Sequence, residues 1–265
     1  MNPPVSDSDG LSVKNLSVSF GGVQALRNVR VQVSPGEIHG VIGPNGAGKT
    51  TLFDVIAGVV RADTGEISLG SDLITRRSPT ARARLGVRRT FQRAQVFGHL
   101  SVRDNLLTAT EWRGGGGGVL ADVLKWIPSR RQLEVERQRR VDEVLAMCEL
   151  EDVASTLAAA LPIGRARMVE LGRAIIDEPR LLLLDEPTSG LDEVETERLA
   201  QIVRMVAAGE KCGVLLVEHD IAFIMSLSDS LTALNLGEVL ADGPASDVIA
   251  SSAVHDAYLG TGATT

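Results

Sequence analysis

From Leu11 to Phe20 apolar and polar residues partly alternate, and the pattern predicts a β-strand. Residues 24–33 predict a second strand, closed by the turn Ser34-Pro35-Gly36-Glu37. Residues 37–42 are a short apolar strand that runs straight into a glycine-rich loop, and a helix is predicted from Lys49 to Ala57. A turn at Asp63-Thr64-Gly65-Glu66 leads to a further strand at Ile67-Ser68-Leu69. From Arg93 to Leu161 the period becomes helical and arginine-rich, as from Arg130 to Arg137, which predicts an inserted helical subdomain. Within it, the run Gly114–Gly118 reads as a flexible linker. After Leu161, strands are predicted at 180–184, 213–218 and 230–236, and helices at 193–208 and 220–227. Strands alternating with helices imply an α/β fold whose sheet is mainly parallel and covered on both faces.

The 265 residues suffice for one large α/β domain with a smaller subdomain inserted. A formal charge of −7 provides no global basic field, so nucleic acid is not an expected partner. Cys148 and Cys212 lack metal-ligand spacing and read as free thiols in a reducing compartment. The start has no basic-then-apolar signal pattern, and no apolar run approaches the roughly 20 residues that span a bilayer. The expectation is an intracellular chain that reaches a membrane only by docking on something that spans it.

Gly43-Pro44-Asn45-Gly46-Ala47-Gly48-Lys49-Thr50 fits G-x-x-x-x-G-K-[ST], with Thr51 next. Each part has a chemical reason. Glycines let the backbone come close to phosphate oxygens, and successive N–H groups form an anion nest. The following helix aims its positive dipole end at the same point. Lys49 supplies a mobile charge for the β- and γ-phosphates, and the Thr50 hydroxyl is a hard ligand for Mg²⁺. The strand before the loop and the helix after it are the context this motif requires.

Leu181-Leu182-Leu183-Leu184 fits a central strand, and it ends in Asp185 and Glu186. Downstream of a phosphate loop, Asp185 reads as completing Mg²⁺ coordination and Glu186 as orienting or deprotonating the attacking water.

Asp185-Glu186-Pro187-Thr188-Ser189-Gly190-Leu191-Asp192 resembles the Walker B and D-loop run of ABC-type ATPases. Thr90-Phe91-Gln92 resembles their Q-loop, and Glu218-His219-Asp220 their switch-histidine segment. Leu161-Pro162-Ile163-Gly164-Arg165 stands where their signature lies, commonly Leu-Ser-Gly-Gly-Gln. The resemblance covers residues 11–260, and implies the P-loop fold of ABC type with an N-terminal antiparallel β subdomain. It divides the chain into a core of 11–92 and 162–236, a helical insert of 93–161 and a C-terminal extension of 237–260, between flexible tails 1–10 and 261–265. It implies that Phe20 stacks on adenine, although Phe20 taken alone could be a core aromatic. It implies that Gln92 reaches Mg²⁺, that His219 contacts the γ-phosphate, and that Asp192 acts across a dimer interface. Pro162 replaces the signature serine and Arg165 the glutamine, while Gly164 is kept.

Val87–Phe97, the long insert containing Pro128-Ser129-Arg130-Arg131, and the ending Asp256-Ala257-Tyr258-Leu259-Gly260 resemble the ATP-binding subunits of branched-chain amino-acid importers. Urea and amide importers share these features, and lipopolysaccharide-export ATPases share the Tyr-Leu-Gly ending. The resemblance implies ATP and Mg²⁺ as cofactors and a head-to-tail pair with a second ATPase subunit, itself or a paralogue. It also implies membrane-spanning permease subunits, an indirect solute-binding protein, and a place on the inner face of the cell membrane. Two rivals come from other classes. A soluble translation or repair ATPase is disfavoured by the single phosphate loop and the short insert. A non-hydrolysing regulator is disfavoured by intact Lys49, Asp185, Glu186 and His219.

Overall fold

A computed structural model describes residues 9–92, 94–110, 128–209 and 211–259. The glycine run at 114–118 and the tail residues 1–8 and 260–265 lie outside the described residues. By internal contacts the chain forms two compact units.

The first unit takes in residues 1–92, 179–189 and 203–265. Its opening strands β1 (Leu11–Phe20) and β2 (Val23–Val33) pair antiparallel through the tight turn at Gly21-Gly22. With β4 (Thr64–Leu69) and β5 (Asp72–Leu73) they make an antiparallel sheet in the order β2-β1-β4-β5. The second sheet holds β3 (Ile38–Ile42), β6 (Val87–Arg89), β7 (Leu181–Asp185), β8 (Gly213–Val217), β9 (Ser230–Asn235) and β10 (Glu238–Pro244). Its order is β10-β9-β3-β8-β7-β6, parallel throughout except for the β9–β10 hairpin. The mainly parallel core and the antiparallel N-terminal sheet are as the sequence implies. Strands β3, β7 and β8 are buried at every position, which is why they read as unbroken apolar runs. Helix α1 (Lys49–Ala57) follows β3 and buries Leu52, Phe53, Val55 and Ile56. These side chains join Leu16, Val18 and Val29 of one sheet and Val41, Leu183 and Leu215 of the other in a single core.

Some expected boundaries shift, and the extension gains defined elements. Strand β4 begins at Thr64, inside the expected turn, because a bulge opposite Lys14–Ser17 lets Gly65 (φ 101°) lie against the β1 backbone. Gly10, placed in the flexible tail, is buried: its carbonyl accepts from Gly70 N–H, and a Cβ there would stand 2.0 Å from Val33 O. The residues after 236 continue the sheet as β10, then add α8 (Ala245–Ala250) and α9 (Ser252–Leu259) after the intervening α7 (Ile221–Leu227).

The second unit comprises residues 93–178 and 190–202. It contains α3 (Val102–Thr110), α4 (Pro128–Met147) and α5 (Ile163–Ile175), and the start of α6 (Glu193–Ala208); α2 (Pro79–Arg84) belongs to the first unit. The stretch 162–178, assigned to the core on sequence, groups here with the helices. The reason is packing: Gly172 of α5 lies against Leu106 of α3 and Val144 of α4.

Strand β3 is anchored by a polar network. His39, 3% exposed, lies 2.7 Å from both Thr232 Oγ1 and Ser230 Oγ, and Ser230 also donates to Glu37. Burial alone would raise the Glu37 carboxyl and is the largest single influence. Hydrogen bonds from His39, Ser230 and the Ser34 N–H together outweigh it and hold the group at about 2, against an ordinary 4.5. Glu37 therefore adds stability that is present above pH 4.5 and is lost as pH falls towards 2. Glu37→Gln is expected to flatten the melting temperature's dependence on pH across that interval. An unchanged acid slope in thermal melts would show that Glu37 does not supply it.

Candidate functional site

The phosphate loop leaves β3 at Gly43 and enters α1 at Lys49. Two of its glycines are forced. At Gly43 (φ 151°) a Cβ would lie 2.2 Å from Leu234 O, and at Gly48 (φ 105°) it would lie 2.7 Å from Ala25 O. Gly48 is the N-cap of α1 and carries no side chain to close the helix's first N–H groups, so they remain available to an anion. Ala47 is buried, Pro44 half-buried, Asn45, Gly46 and Thr50 exposed, and Thr51 half-buried in the first turn. Lys49 Nζ donates to Gly43 O at 2.6 Å and to Pro44 O at 3.1 Å. Burial pulls its ammonium below the ordinary lysine range, and the Glu186 and Asp185 carboxylates oppose that.

Those two acids close strand β7. Asp185 is 5% exposed and accepts from Arg89 Nη2 at 2.9 Å. Glu186 sits just past the strand with φ 47°, a left-handed conformation that costs on the order of 1–3 kcal/mol in a residue with a side chain. It is pinned there by its N–H on Val217 O and by Ser189 N–H on its own carbonyl. Its carboxylate accepts from Gln92 Nε2 at 2.8 Å and lies 3.4 Å from His219 Nδ1. His219 itself is 68% exposed, so its ring can turn toward a ligand. Lys49, Gln92, Asp185, Glu186 and His219 are thereby gathered at the carboxyl ends of parallel strands, where an open α/β sheet binds its ligands. Phe20, 50% exposed, ends β1 beside the Gly21-Gly22 turn.

The oxygen donors present suit Mg²⁺. Among the described residues no three or more His, Cys, Asp or Glu gather as a metal cage. Mg²⁺ is ordinarily held by one or two carboxylates together with substrate phosphates, and the Thr50 hydroxyl, the Gln92 amide oxygen and the Asp185 carboxylate are hard donors of that kind.

In the second unit, Pro162 is the N-cap of α5 with φ −57°, and it offers no side-chain cap. Ile163 is 65% exposed, Leu161 half-buried and Gly164 buried. A Cβ on Gly164 would lie 1.9 Å from the Glu195 carboxylate, so a larger residue there would push that side chain aside. Arg165 donates to Asp152 Oδ1 at 2.9 Å and to Glu149 O. Asp192 caps α6: its Oδ1 accepts from Glu195 N–H at 2.8 Å, and Glu195 Oε2 accepts from Asp192 N–H at 3.1 Å, a reciprocal capping box.

Sequence reasoning gave Glu218 no role of its own. Its carboxylate, 1% exposed, accepts from Thr188 N–H, Thr188 Oγ1 and His219 N–H, so it ties the backbone two residues after Glu186 to the backbone at His219. The signal was present: like Asp185, it is an acid at the end of an all-apolar strand. Arg89 was also missed. The two cysteines are buried, and burial pushes both thiols up to about 12, which makes them inert.

A family profile described as ABC transporter matches residues 26–189. The high-affinity branched-chain amino acid transport ATP-binding protein LivG of Escherichia coli K12 is 35% identical over 250 residues, covering 94% of this chain and 97% of LivG. A nucleotide-free ATP-binding cassette from an ABC transporter superposes with a TM-score of 0.79 at 28% identity, covering 94% of this chain and 98% of that one. The ADP conformation of an ATP-binding cassette of an ABC transporter gives 0.78 at 28% identity, with the same coverage.

Proposed function

We propose that this chain, which belongs to the ABC transporter family and is an ATPase of that family, is the subunit that powers a membrane importer for branched-chain amino acids or a related small polar solute. The observation that carries the hydrolytic part is the Glu186 carboxylate, held between Gln92 and His219 beside the Lys49 ammonium. In that setting Glu186 takes the proton of the attacking water, and Lys49 with the loop amides takes the phosphate charge. His219 steadies the γ-phosphate, and Phe20 stacks on adenine. Thr50, Gln92 and Asp185 hold Mg²⁺, which supplies Lewis-acid neutralisation of the phosphate oxygens when bound. The solute assignment is supported by likeness to LivG along nearly the whole of both chains.

Among the described residues no helix is long and apolar enough to cross a membrane, and this reading assigns the pathway to separate membrane-spanning subunits. Two ATPase subunits would face head to tail, each phosphate loop completed by the other chain's Leu161–Arg165 and Asp192. Expression with candidate membrane subunits tests the assignment: a stable complex showing ATP-dependent leucine uptake is expected. A chain that hydrolyses ATP but retains no membrane partner would contradict it.

Pro162 gives this completion a specific weakness. A serine N-cap accepts from the helix's own N–H groups and still turns its hydroxyl proton outward. Proline lacks both hydroxyl and N–H, and Arg165 is already paired with Asp152. A hydrogen bond to a charged group is worth about 1.5–3 kcal/mol, or roughly ten- to a hundredfold in rate if it acts wholly in the transition state. Pro162→Ser is therefore expected to raise single-turnover hydrolysis in the assembled transporter while leaving the isolated chain's ATP affinity unchanged. No gain, or a loss, with the partner present would mean that proline serves equally well.

A further inference from the structure

Arg89 ends β6, the edge strand of the parallel sheet, and its side chain is 9% exposed. Its Nη2 donates to Asp185 Oδ2 at 2.9 Å and its Nη1 to Asp54 Oδ1 at 2.5 Å. The guanidinium also lies 5.8 Å from the ring centre of Phe53 and 5.3 Å from that of Phe91. Phe53 and Asp54 belong to α1, the helix that begins with Lys49, and Phe91 directly precedes Gln92. One side chain therefore touches the helix behind the phosphate loop, the acid at the end of β7, and the segment that presents Gln92.

The strand register makes these contacts a unit. Arg89 stands opposite Leu183, and Thr90 N–H donates to Leu183 O at 2.9 Å. Two residues later Gln92 reaches Glu186. The edge strand thus grips both acids of its neighbour, Asp185 through Arg89 and Glu186 through Gln92.

We propose that Arg89 is a positioning residue for ATP hydrolysis: it fixes the Asp185 carboxylate in the orientation that receives Mg²⁺ and ties that carboxylate to the Gln92 segment. The proposal rests on the reading of Asp185 as a metal-holding residue. The planar fork suits the task, because it can bind two carboxylates at once in fixed directions, which a lysine point charge cannot. It holds Asp185 by Oδ2 and leaves Oδ1 without a donor among the described residues. Asp54 balances the charge of Arg89, so the pair sets geometry without placing a net positive charge beside the cation.

Positioning and simple charge make opposite predictions. If only charge mattered, removing Arg89 would leave two uncompensated carboxylates, and divalent cations would bind more tightly. If orientation matters, they bind more weakly, and loss of a partner that orients a metal ligand typically costs roughly ten- to a hundredfold in affinity.

The test is Mn²⁺ binding to the purified full chain, measured by electron paramagnetic resonance with a non-hydrolysable ATP analogue, for wild type, Arg89→Met, Arg89→Lys and Asp185→Asn. Arg89→Met keeps an unbranched apolar stem and is expected to weaken Mn²⁺ binding about tenfold. Arg89→Lys is expected to fall between Arg89→Met and wild type. In steady-state hydrolysis, the Mg²⁺ concentration for half-maximal rate should rise while the rate at saturating Mg²⁺ changes much less, a split that general loss of structure would not produce. Should Arg89→Met not fold, Arg89→Lys carries the test: weaker Mn²⁺ binding supports the proposal and wild-type binding overturns it. Unchanged or tighter Mn²⁺ binding in Arg89→Met, with binding lost in Asp185→Asn, overturns the role of Arg89 and leaves the metal reading standing. Unchanged binding in Asp185→Asn refutes the metal reading itself, and the proposal falls with it.

Discussion

Replacing Glu186 with glutamine is expected to leave ATP binding intact and to cut steady-state turnover by roughly 10²- to 10⁴-fold, the usual contribution of a positioned general base. The amide keeps the shape of the carboxylate and still meets Gln92 and His219, so the left-handed backbone at this position has no new reason to relax. What it cannot do is take a proton. Because ATP then persists in the site, the variant should also accumulate as an ATP-bound pair of subunits. Phosphate release and nucleotide affinity measured on the same preparation check both halves. Wild-type turnover would remove Glu186 from the chemistry, and lost affinity would mean that its role is in binding.

Lys49→Ala should act on binding and chemistry together. The ammonium is partly desolvated, which strengthens its attraction for phosphate, and two carboxylates nearby oppose the lowering that burial causes. Losing one hydrogen bond to a charged group weakens ATP binding by about 1.5–3 kcal/mol, roughly ten- to a hundredfold. Loss of a preorganised donor in the transition state adds roughly 10²- to 10³-fold in rate. The substitution also removes two bonds from Nζ to the Gly43 and Pro44 carbonyls, so the loop loses an internal tie. Calorimetric titration with ATP and a hydrolysis assay measure the two effects separately. Unchanged affinity and activity would mean that the nucleotide binds elsewhere.

The Glu186 and Lys49 predictions rest on elements that the sequence displays openly. A phosphate loop needs glycine where the backbone turns left-handed, and Gly43 and Gly48 stand where no side chain fits. Strands β3, β7 and β8 are buried on both faces, so they appear as apolar runs, and an acid at the end of such a run stands out. The short elements were less visible. Strand β6 has three residues, two of them arginines, and it forms because β7 offers an unpaired edge. Strand β10 contains glycine and proline and owes its place to the hairpin with β9, so it reads as an extension. Local propensity cannot reveal a strand whose existence depends on a distant partner.

The site's supporting residues were hidden for a related reason. Arg89, Asp54 and Glu218 act through side-chain pairs up to 96 residues apart, and no linear spacing records those pairs. Asp192 shows the converse. Its place in a recognised motif suggested action across an interface, while the three-residue spacing to Glu195 already spelled a helix cap. Both roles can hold, since the cap engages Oδ1 and the backbone N–H.

The central claim is that ATP hydrolysis at this cluster drives movement of a solute through partner subunits. The measurement that addresses it most directly is simultaneous phosphate release and solute uptake in vesicles holding the membrane subunits with this chain, wild type against Glu186→Gln. The account predicts that wild-type vesicles release phosphate and take up solute together, and that the variant binds ATP but does neither beyond a residual level. Uptake that continues at the wild-type rate while phosphate release is abolished would contradict it.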